Sequence, residues 1–196
     1  MARGRAPAPA GRLGGLAGPS GAVQVPGPGA RGRGGRRAGA AGGEAAGVAA
    51  AKPAVAAKEL FRTDQRPIVL FDGVCNMCNG GVNFILDWDT ETRLRFSALQ
   101  SDTGKALLQM CGRSPDDISS IVLVYESHCY LKSDAILRIA RVCEAPLPAL
   151  AAFGLAFPNL LRDGAYDVVA ANRYSVFGKS DQCRLGDDTF ADRFIE

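Results

Sequence analysis

Short apolar runs and amphipathic stripes alternate between residues 67 and 143 of this 196-residue chain. The run 67–71 contains β-branched residues and ends at Asp72-Gly73, which is typical of a buried strand followed by a turn. In chain order, the predicted elements are a strand over 67–71, a helix over 79–89, a strand over 93–99, a helix from 102 or 103 to 110, strands over 118–125 and 129–131, and a helix from 133 or 134 to 143.

The order of these elements predicts the fold class. Strand, helix, strand, helix, strand, strand, helix is the order of a thioredoxin-like α/β fold, in which helices cover both faces of a mixed central sheet. An appended C-terminal tail of helical and irregular character is expected over 146–196. No window reaches the ~18 uninterrupted apolar residues of a membrane span. The nearest candidate, 145–161, contains three prolines, so we expect a short buried or interfacial helix there.

The first 58 residues differ sharply in composition from the rest. They are almost entirely Ala, Gly, Pro and Arg, and too few large apolar residues are present to offset the entropy of ordering the chain. We therefore predict a disordered segment over 1–58 and a folded domain over 66–195.

The composition of this first segment also suggests a targeting role. An Arg-rich, acid-poor N-terminus is typical of an organelle transit peptide, and the small-residue tract 47–51 suits a processing protease. Its Ala and Pro content favours the chloroplast over the mitochondrion, although Ser20 is its only serine, whereas transit peptides are usually Ser-rich. A low-complexity tail with no targeting role is the alternative.

Charge is divided between the two parts of the chain. Residues 1–58 contain nine Lys or Arg and one acid, whereas 59–196 contain fourteen basic and nineteen acidic residues. The net charge of +3 is therefore the sum of +8 in the first part and −5 in the second. The positive charge lies where no folded surface is expected, and we therefore exclude nucleic acid as a partner.

The pair Cys75-Asn76-Met77-Cys78 carries the candidate chemistry. Its two cysteines are three residues apart, so on the first turn of a helix they share one face and can form a disulfide. Free amides and the positive end of the helix dipole favour a thiolate on Cys75. We predict that Cys75 is the accessible nucleophile and that Cys78, more sheltered one turn later, resolves the mixed disulfide.

A zinc site is the rival interpretation of this spacing. Tetrahedral zinc is usually completed by a second pair of ligands, and the sequence contains no second CxxC and no HxxxH. The remaining ligands would come from His128 and from cysteines 111, 129, 143 and 183 at irregular intervals. A strand before the pair and a helix after it favour redox chemistry, and we expect no bound metal or cofactor.

Four other cysteines and one carboxylate complete the candidate set. Cys111, Cys129 and Cys143 fall on apolar faces, where a free cysteine behaves as a small hydrophobe, and we interpret all three as structural. Cys183 lies in a polar stretch with basic neighbours and is a possible third redox cysteine, or a chance surface thiol. Asp72 either caps the turn and helix or accepts the proton of Cys78 during resolution.

Two separated stretches resemble a known family. Residues 68–79, Ile-Val-Leu-Phe-Asp-Gly-Val-Cys-Asn-Met-Cys-Asn, look like the opening of the DCC family of predicted thiol-disulfide oxidoreductases, named for its Asp and two Cys. Residues 172–179, Asn-Arg-Tyr-Ser-Val-Phe-Gly-Lys, followed by Cys183 and Arg193-Phe194, are similar to its aromatic and basic C-terminal block.

This resemblance spans about 66–195 and implies a thioredoxin-like fold with roles for Asp72, Cys75 and Cys78. The substrate-binding cis-proline of thioredoxins has no counterpart, because Ser119 and Ser120 stand in its place.

Two functions from different classes follow. The first is an enzyme that exchanges disulfides with protein partners inside an organelle. The second is a binding or assembly module on the same scaffold, with the tail as its interface and the cysteine pair as a redox switch or metal clip. Tyr166, Tyr174 and Phe177 are candidates for that interface, although aromatic residues of this kind are more often core.

Overall fold

A computed structural model describes residues 21–25, 57–179 and 188–196. Its centre is a five-stranded mixed sheet with the strand order β1-β5-β4-β2-β3. β2 pairs in parallel with β3, and the remaining pairs are antiparallel. The strands are β1 (Val23–Gln24), β2 (Ile68–Phe71), β3 (Arg95–Ala98), β4 (Val122–Val124) and β5 (His128–Leu131).

Helices cover both faces of this sheet and continue beyond it. They are α1 (57–63), α2 (Asn76–Trp88), α3 (Asp102–Met110), α4 (Lys132–Val142), α5 (Leu147–Leu155), α6 (Asn159–Phe177) and a 3-10 helix over Asp188–Arg193. The predicted order of elements over 67–143 is confirmed, as is the α/β class consistent with a thioredoxin-like fold. Within the described residues, no helix has the length and apolar character needed to cross a membrane.

The core consists of two apolar layers, one on each face of the sheet. Alternation along β2 sends Ile68 and Leu70 to the layer beneath α1 and α3, and Val69 and Phe71 to the layer beneath α2 and α4. All four side chains are buried. The strand that leads to the cysteine pair is therefore held on both faces, which gives the pair a rigid support.

A disulfide joins two of the cysteines that the sequence analysis treats as free. Cys111 at the end of α3 is bonded to Cys129 in β5, with 5.9 Å between their Cα atoms. Both residues are buried, as expected. Their structural role is that of a covalent link and not that of small hydrophobic side chains. Their separation of 18 residues contains no motif from which the bond could be predicted.

Two described stretches belong to the part predicted to be disordered, 21–25 and 57–58, of which the second begins α1. Residues 21–25 contribute the edge strand β1, in which Val23 pairs with Cys129 and Gln24 with His128. The amide of Val25 also donates to the carbonyl of Ser127 at 3.0 Å. Most of the predicted segment, 1–20 and 26–56, lies outside the described residues.

Candidate active site

The cysteine pair lies at the N-terminus of α2, immediately after the turn that follows β2. Cys75 is the N-cap residue, with φ −90° and ψ 118°, and its amide donates to the carbonyl of Asp72 at 3.2 Å. Cys78 follows one turn later within α2. The strand-to-helix placement predicted for the pair is therefore present, although α2 begins at Asn76, three residues before the predicted start.

Cys75 is covered by the residues that end α6. Its backbone forms an isolated antiparallel β-bridge with Lys179. Asn76 adds two bonds: its amide donates to the carbonyl of Gly178 at 3.5 Å, and its Nδ2 donates to the carbonyl of Phe177 at 3.0 Å. We call residues 177–179 the strap. Under the strap, Cys75 has 0% of its surface exposed.

The accessibility predicted for the two cysteines is reversed. Cys75, predicted to be the accessible sulfur, is buried, and Cys78, predicted to be sheltered, is partly exposed. The reason is a contact from residues about a hundred positions away along the chain. The amide of Asn76 is directed to Gly178, and the Cys75 side chain accepts no capping hydrogen bond from the described residues. The helix dipole therefore acts on this sulfur without a direct amide bond.

The two cysteines interact strongly with each other. Burial, a hydrogen bond with Cys75 and the negative charges of Cys75 and Asp72 raise the pKa of Cys78 to about 12, against an opposing effect of Arg173. Cys78 is consequently a protonated thiol at neutral pH. No disulfide joins the two, and both are free cysteines.

Asp72 is buried beneath the pair and accepts hydrogen bonds on both carboxylate oxygens. Oδ1 accepts from Gln100 Nε2 at 2.7 Å and from the amide of Val74 at 3.2 Å. Oδ2 accepts from Arg173 at 3.3 Å and from the hydroxyl of Tyr174. This set of four donors satisfies the hydrogen-bonding capacity of the buried carboxylate. Both roles considered for Asp72 are compatible with this geometry, because its negative charge also contributes to the raised pKa of Cys78.

Arg173 and Tyr174 are site residues that the sequence reasoning did not assign. Both come from α6, and Arg173 is buried while its guanidinium also donates to the carbonyls of Ile118 and Ser119, at 2.9 and 3.4 Å. Their only signal in the sequence was their place in the C-terminal block, since a hundred residues separate them from Asp72. Tyr174 was considered as an interface residue, but it binds the buried carboxylate.

An apolar cleft of about 670 Å³ opens beside Cys78. Its walls come from α2, α4, α5 and α6, and Asp72 and Arg173 are also among its lining residues. Met77 and Cys78 belong to the wall supplied by α2. Cys78, the partly exposed cysteine of the pair, therefore borders an apolar surface.

The remaining cysteines stand apart from this centre. Burial raises the pKa of Cys143 to about 11, and its thiol donates to the carbonyl of Ile139 at 3.4 Å, which fits the structural role predicted for it. Cys183, the possible third redox cysteine, lies outside the described residues. Among the described residues, no group of three or more His, Cys, Asp and Glu side chains is arranged to hold a metal ion.

Comparison with known proteins assigns the chain to a family. Residues 69–179 match the model of the DCC1-like thiol-disulfide oxidoreductase family, a range that contains the cysteine pair, Asp72 and the strap. The chain belongs to this family.

Two curated relatives support the assignment. The DCC family protein At1g52590, chloroplastic, of Arabidopsis thaliana is 54% identical over 125 residues, which cover 64% of this chain and 73% of the relative. The uncharacterized protein YuxK of Bacillus subtilis (strain 168) is 38% identical over 128 residues, which cover 65% of this chain and 93% of the relative. No solved structure matches the chain.

Proposed function

We propose that this DCC1-like protein exchanges disulfides with protein partners through Cys75 and Cys78. The observation that carries the proposal is the coupling of the two sulfurs at the start of α2. Negative charge on Cys75 is among the causes that raise the pKa of Cys78 to about 12, so the pair ionises one sulfur at a time. Family membership supports a redox role for such a pair.

The reaction follows from that coupling. The thiolate of Cys75 attacks one sulfur of the partner's disulfide, the partner's S–S bond breaks, and its second sulfur leaves as a thiolate. Once Cys75 is a neutral mixed disulfide, its charge no longer raises the pKa of Cys78. Cys78 then loses its proton, attacks Cys75, and releases the partner as a dithiol while the Cys75–Cys78 disulfide forms. Two electrons pass from the pair to the partner, and reversal oxidises a partner dithiol.

Access to Cys75 requires displacement of the strap. The strap is held over the pair by the Lys179 bridge and by the two bonds of Asn76, the longer of which measures 3.5 Å. Gly178 has φ +75°, a conformation that favours glycine. Opening of the strap breaks these contacts and that of Lys179 Nζ with the Tyr174 ring, which costs less than unfolding of the sheet.

In this proposal Asp72 positions the pair and controls its charge. Its negative charge keeps Cys78 protonated before the first attack, and Arg173 opposes that effect. A proton acceptor role for Asp72 in the resolving step is compatible with its burial and proximity, and the two roles predict opposite results for Asp72→Asn, as discussed below.

A trapping experiment tests the proposal. The full-length Cys78→Ser variant is expected to accumulate mixed disulfides with protein partners, because the second attack cannot take place. Cys75→Ser, the matched control, is expected to trap few. Oxidised wild-type protein should show residues 75 and 78 as a linked pair, in one peptide with an internal disulfide. Equal trapping by the two variants, or the absence of that linked pair, would contradict the assignment.

The alternative is a binding or assembly module whose cysteine pair is a switch. Complete burial of Cys75 is the observation that favours it. In that case, partners bind oxidised and reduced protein with different affinity, no covalent intermediate forms with Cys78→Ser, and turnover of a disulfide substrate is absent.

For localisation we propose an organelle, with the chloroplast favoured over the mitochondrion. The Arg-rich composition of 1–58 and the chloroplastic relative support this proposal. Cleavage at the tract 47–51 would remove β1 from the sheet, whereas retention of residues 21–25 would keep it. Sequencing the N-terminus of the protein purified from its native organelle decides between them. A mature chain that begins at Met1 would contradict a cleaved transit peptide.

A further inference from the structure

The apolar cleft carries an inference about the substrate of the proposed exchange reaction. Its lining is almost entirely hydrocarbon, and the three charged side chains that reach it among the described residues are already paired. Asp72 binds Arg173, and Arg162 binds Asp134 at 2.8 Å. The cleft therefore offers no net charge with which to select an acidic or basic partner.

The loop before β4, next to the pair, has little backbone left for pairing with a substrate strand. The amide of Ile121 donates to the hydroxyl of Tyr166 at 2.9 Å, and Arg173 occupies the carbonyls of Ile118 and Ser119. Strand addition at this loop would have to break these bonds. Recognition is left to side chains that enter the cleft.

The rim of the cleft indicates an occupant larger than a small molecule. Phe84, Ile136, Phe157 and Val169 line it while about half exposed, between 46% and 51%. The ring of Phe157 contacts that of Phe153 in α5, with 5.2 Å between their centroids. Six large apolar side chains of α5 and α6 are 62–85% exposed: Leu150, Phe153, Leu160, Leu161, Val168 and Val176. Exposed apolar surface of this extent marks a protein interaction site.

One lining residue of the cleft carries an unsatisfied donor. Arg173 is 8% exposed, and its Nε has no hydrogen-bond partner among the described residues. Because this nitrogen is itself buried, it adds no polar contact at the surface of the cleft, and recognition there rests on apolar contact.

We propose that the apolar cleft docks the protein substrate, taking a large apolar side chain that flanks the substrate's reacting cysteine. The inference rests on the proposed function, and the chemical step is the same: the substrate's S–S bond breaks as the bond to Cys75 forms. Because Cys78 lies in the cleft wall, a side chain anchored there holds the substrate cysteine beside the pair. Substrates with phenylalanine or leucine next to the cysteine are thus preferred over those with serine.

Adjacent glycines on α2 provide a matched test. A Cβ added at Gly80 or at Gly81 meets no described atom within 4 Å, but only Gly81 is among the residues that line the cleft. Gly81→Phe fills the cleft from its α2 wall, whereas Gly80→Phe adds the same side chain outside it. Circular dichroism and thermal unfolding verify that both variants are folded.

The measurement is the rate at which reduced full-length protein cleaves two symmetric disulfide peptides of equal charge. In one peptide the cysteine is flanked by phenylalanine and leucine, and in the other by serine. We expect wild type and Gly80→Phe to prefer the apolar peptide by about tenfold or more, as hydrophobic pockets do. In Gly81→Phe, the ratio of the two rates should fall toward one.

Three results would overturn the inference. They are equal rates on both peptides in the wild type, an undiminished preference in Gly81→Phe, and a wild-type dimer that Gly81→Phe dissociates, which would assign the cleft to a second copy of the chain. Failure of the proposed function looks different, because neither peptide is then cleaved by any variant.

Discussion

Two buried arginine–carboxylate pairs lie at opposite ends of α2, and they serve different purposes. Asp72 and Arg173 lie before its N-terminus, beside the cysteine pair, and Asp89 and Arg193 lie at its C-terminus, where Asp89 is the C-cap. In each, a carboxylate from the sheet-and-helix unit is held by an arginine from the C-terminal tail. The pairs thus tie both ends of α2 to distant parts of the chain.

Their surroundings separate the two pairs. The side chains of Asp89 and Arg193 are 0% and 1% exposed, and their other partners are backbone groups: the amides of Arg93 and Leu94 and the carbonyl of Leu94. Asp72 and Arg173, by contrast, reach an open cleft, act on the pKa of Cys78 and leave one donor unpaired. Asp89 and Arg193, which we call the sealed pair, also act on the pKa of a thiol, but that thiol is the buried Cys143, to which we assign a structural role. Only the pair at the cleft acts on a cysteine of the candidate active site.

The largest effect is expected at the sealed pair. Arg193→Met leaves the Asp89 carboxylate buried and without its cation, which should lower the free energy of unfolding by about 3–5 kcal/mol. Urea unfolding measures the loss. Arg62→Met is the control, because Arg62 forms an exposed ion pair with Glu59 and should cost less than about 1 kcal/mol. A loss at Arg193 as small as the control would show that the pair does not secure the tail.

Arg173→Met should cost less stability but change the cysteines. Asp72 keeps its bonds to Gln100, Val74 and Tyr174, so we expect a loss of about 1–3 kcal/mol. Because Arg173 opposes the rise in the pKa of Cys78, its removal should raise that pKa further. The pH dependence of Cys78 alkylation reports it. An unchanged pH dependence would mean that Arg173, like Arg193, does not act on Cys78.

Asp72→Asn separates charge control from proton transfer. Removing the negative charge should lower the pKa of Cys78, so that alkylation of Cys78 accelerates at pH 9 to 11. If Asp72 only controls charge, release of a preformed mixed disulfide at Cys75 becomes faster. If it accepts the proton of Cys78, release slows by about a hundredfold or more. Single-turnover release in the two proteins distinguishes these outcomes, and Asp89→Asn, where folded, is the control.

Cys75→Ser tests the coupling itself. With the charge of Cys75 removed, the pKa of Cys78 should fall from about 12 but remain above 9, because burial and Asp72 still raise it. The alkylation rate of Cys78 rises tenfold per pH unit below its pKa and reaches a plateau above it. In Cys75→Ser this plateau should begin at a lower pH. A plateau that stays near 12 would remove the basis for sequential ionisation.

Tyr174→Phe is expected to have the smallest effect. It removes one of four donors to Asp72 and retains the ring over which Lys179 Nζ lies, 4.3 Å from the centroid. We expect a loss of about 1 kcal/mol in urea unfolding and little change at Cys78. A loss as large as that of Arg193→Met would place this hydroxyl among the principal supports of the site.

Much of this site could be predicted because it is local. Periodicity alone predicted the strand that ends just before Asp72 and the helix that follows the cysteine pair, since burial of one face imposes a regular pattern on adjacent residues. Residues three apart on one helix face are neighbours in every such helix. The family resemblance reached Arg173 and Tyr174 as part of a motif, but a motif does not say which buried group a side chain binds.

The chain's own pattern of residues thus determined the order of elements, the α/β class and a cysteine pair at the start of a helix. Tertiary structure alone decided that the strap buries Cys75, that Cys111 bonds to Cys129, and that Arg173 and Tyr174 meet Asp72 beside an apolar cleft. The physical reason is separation along the chain. Local patterns depend on neighbouring residues, whereas exposure, charge and covalent pairing at the site depend on how segments 18 to 102 residues apart pack together.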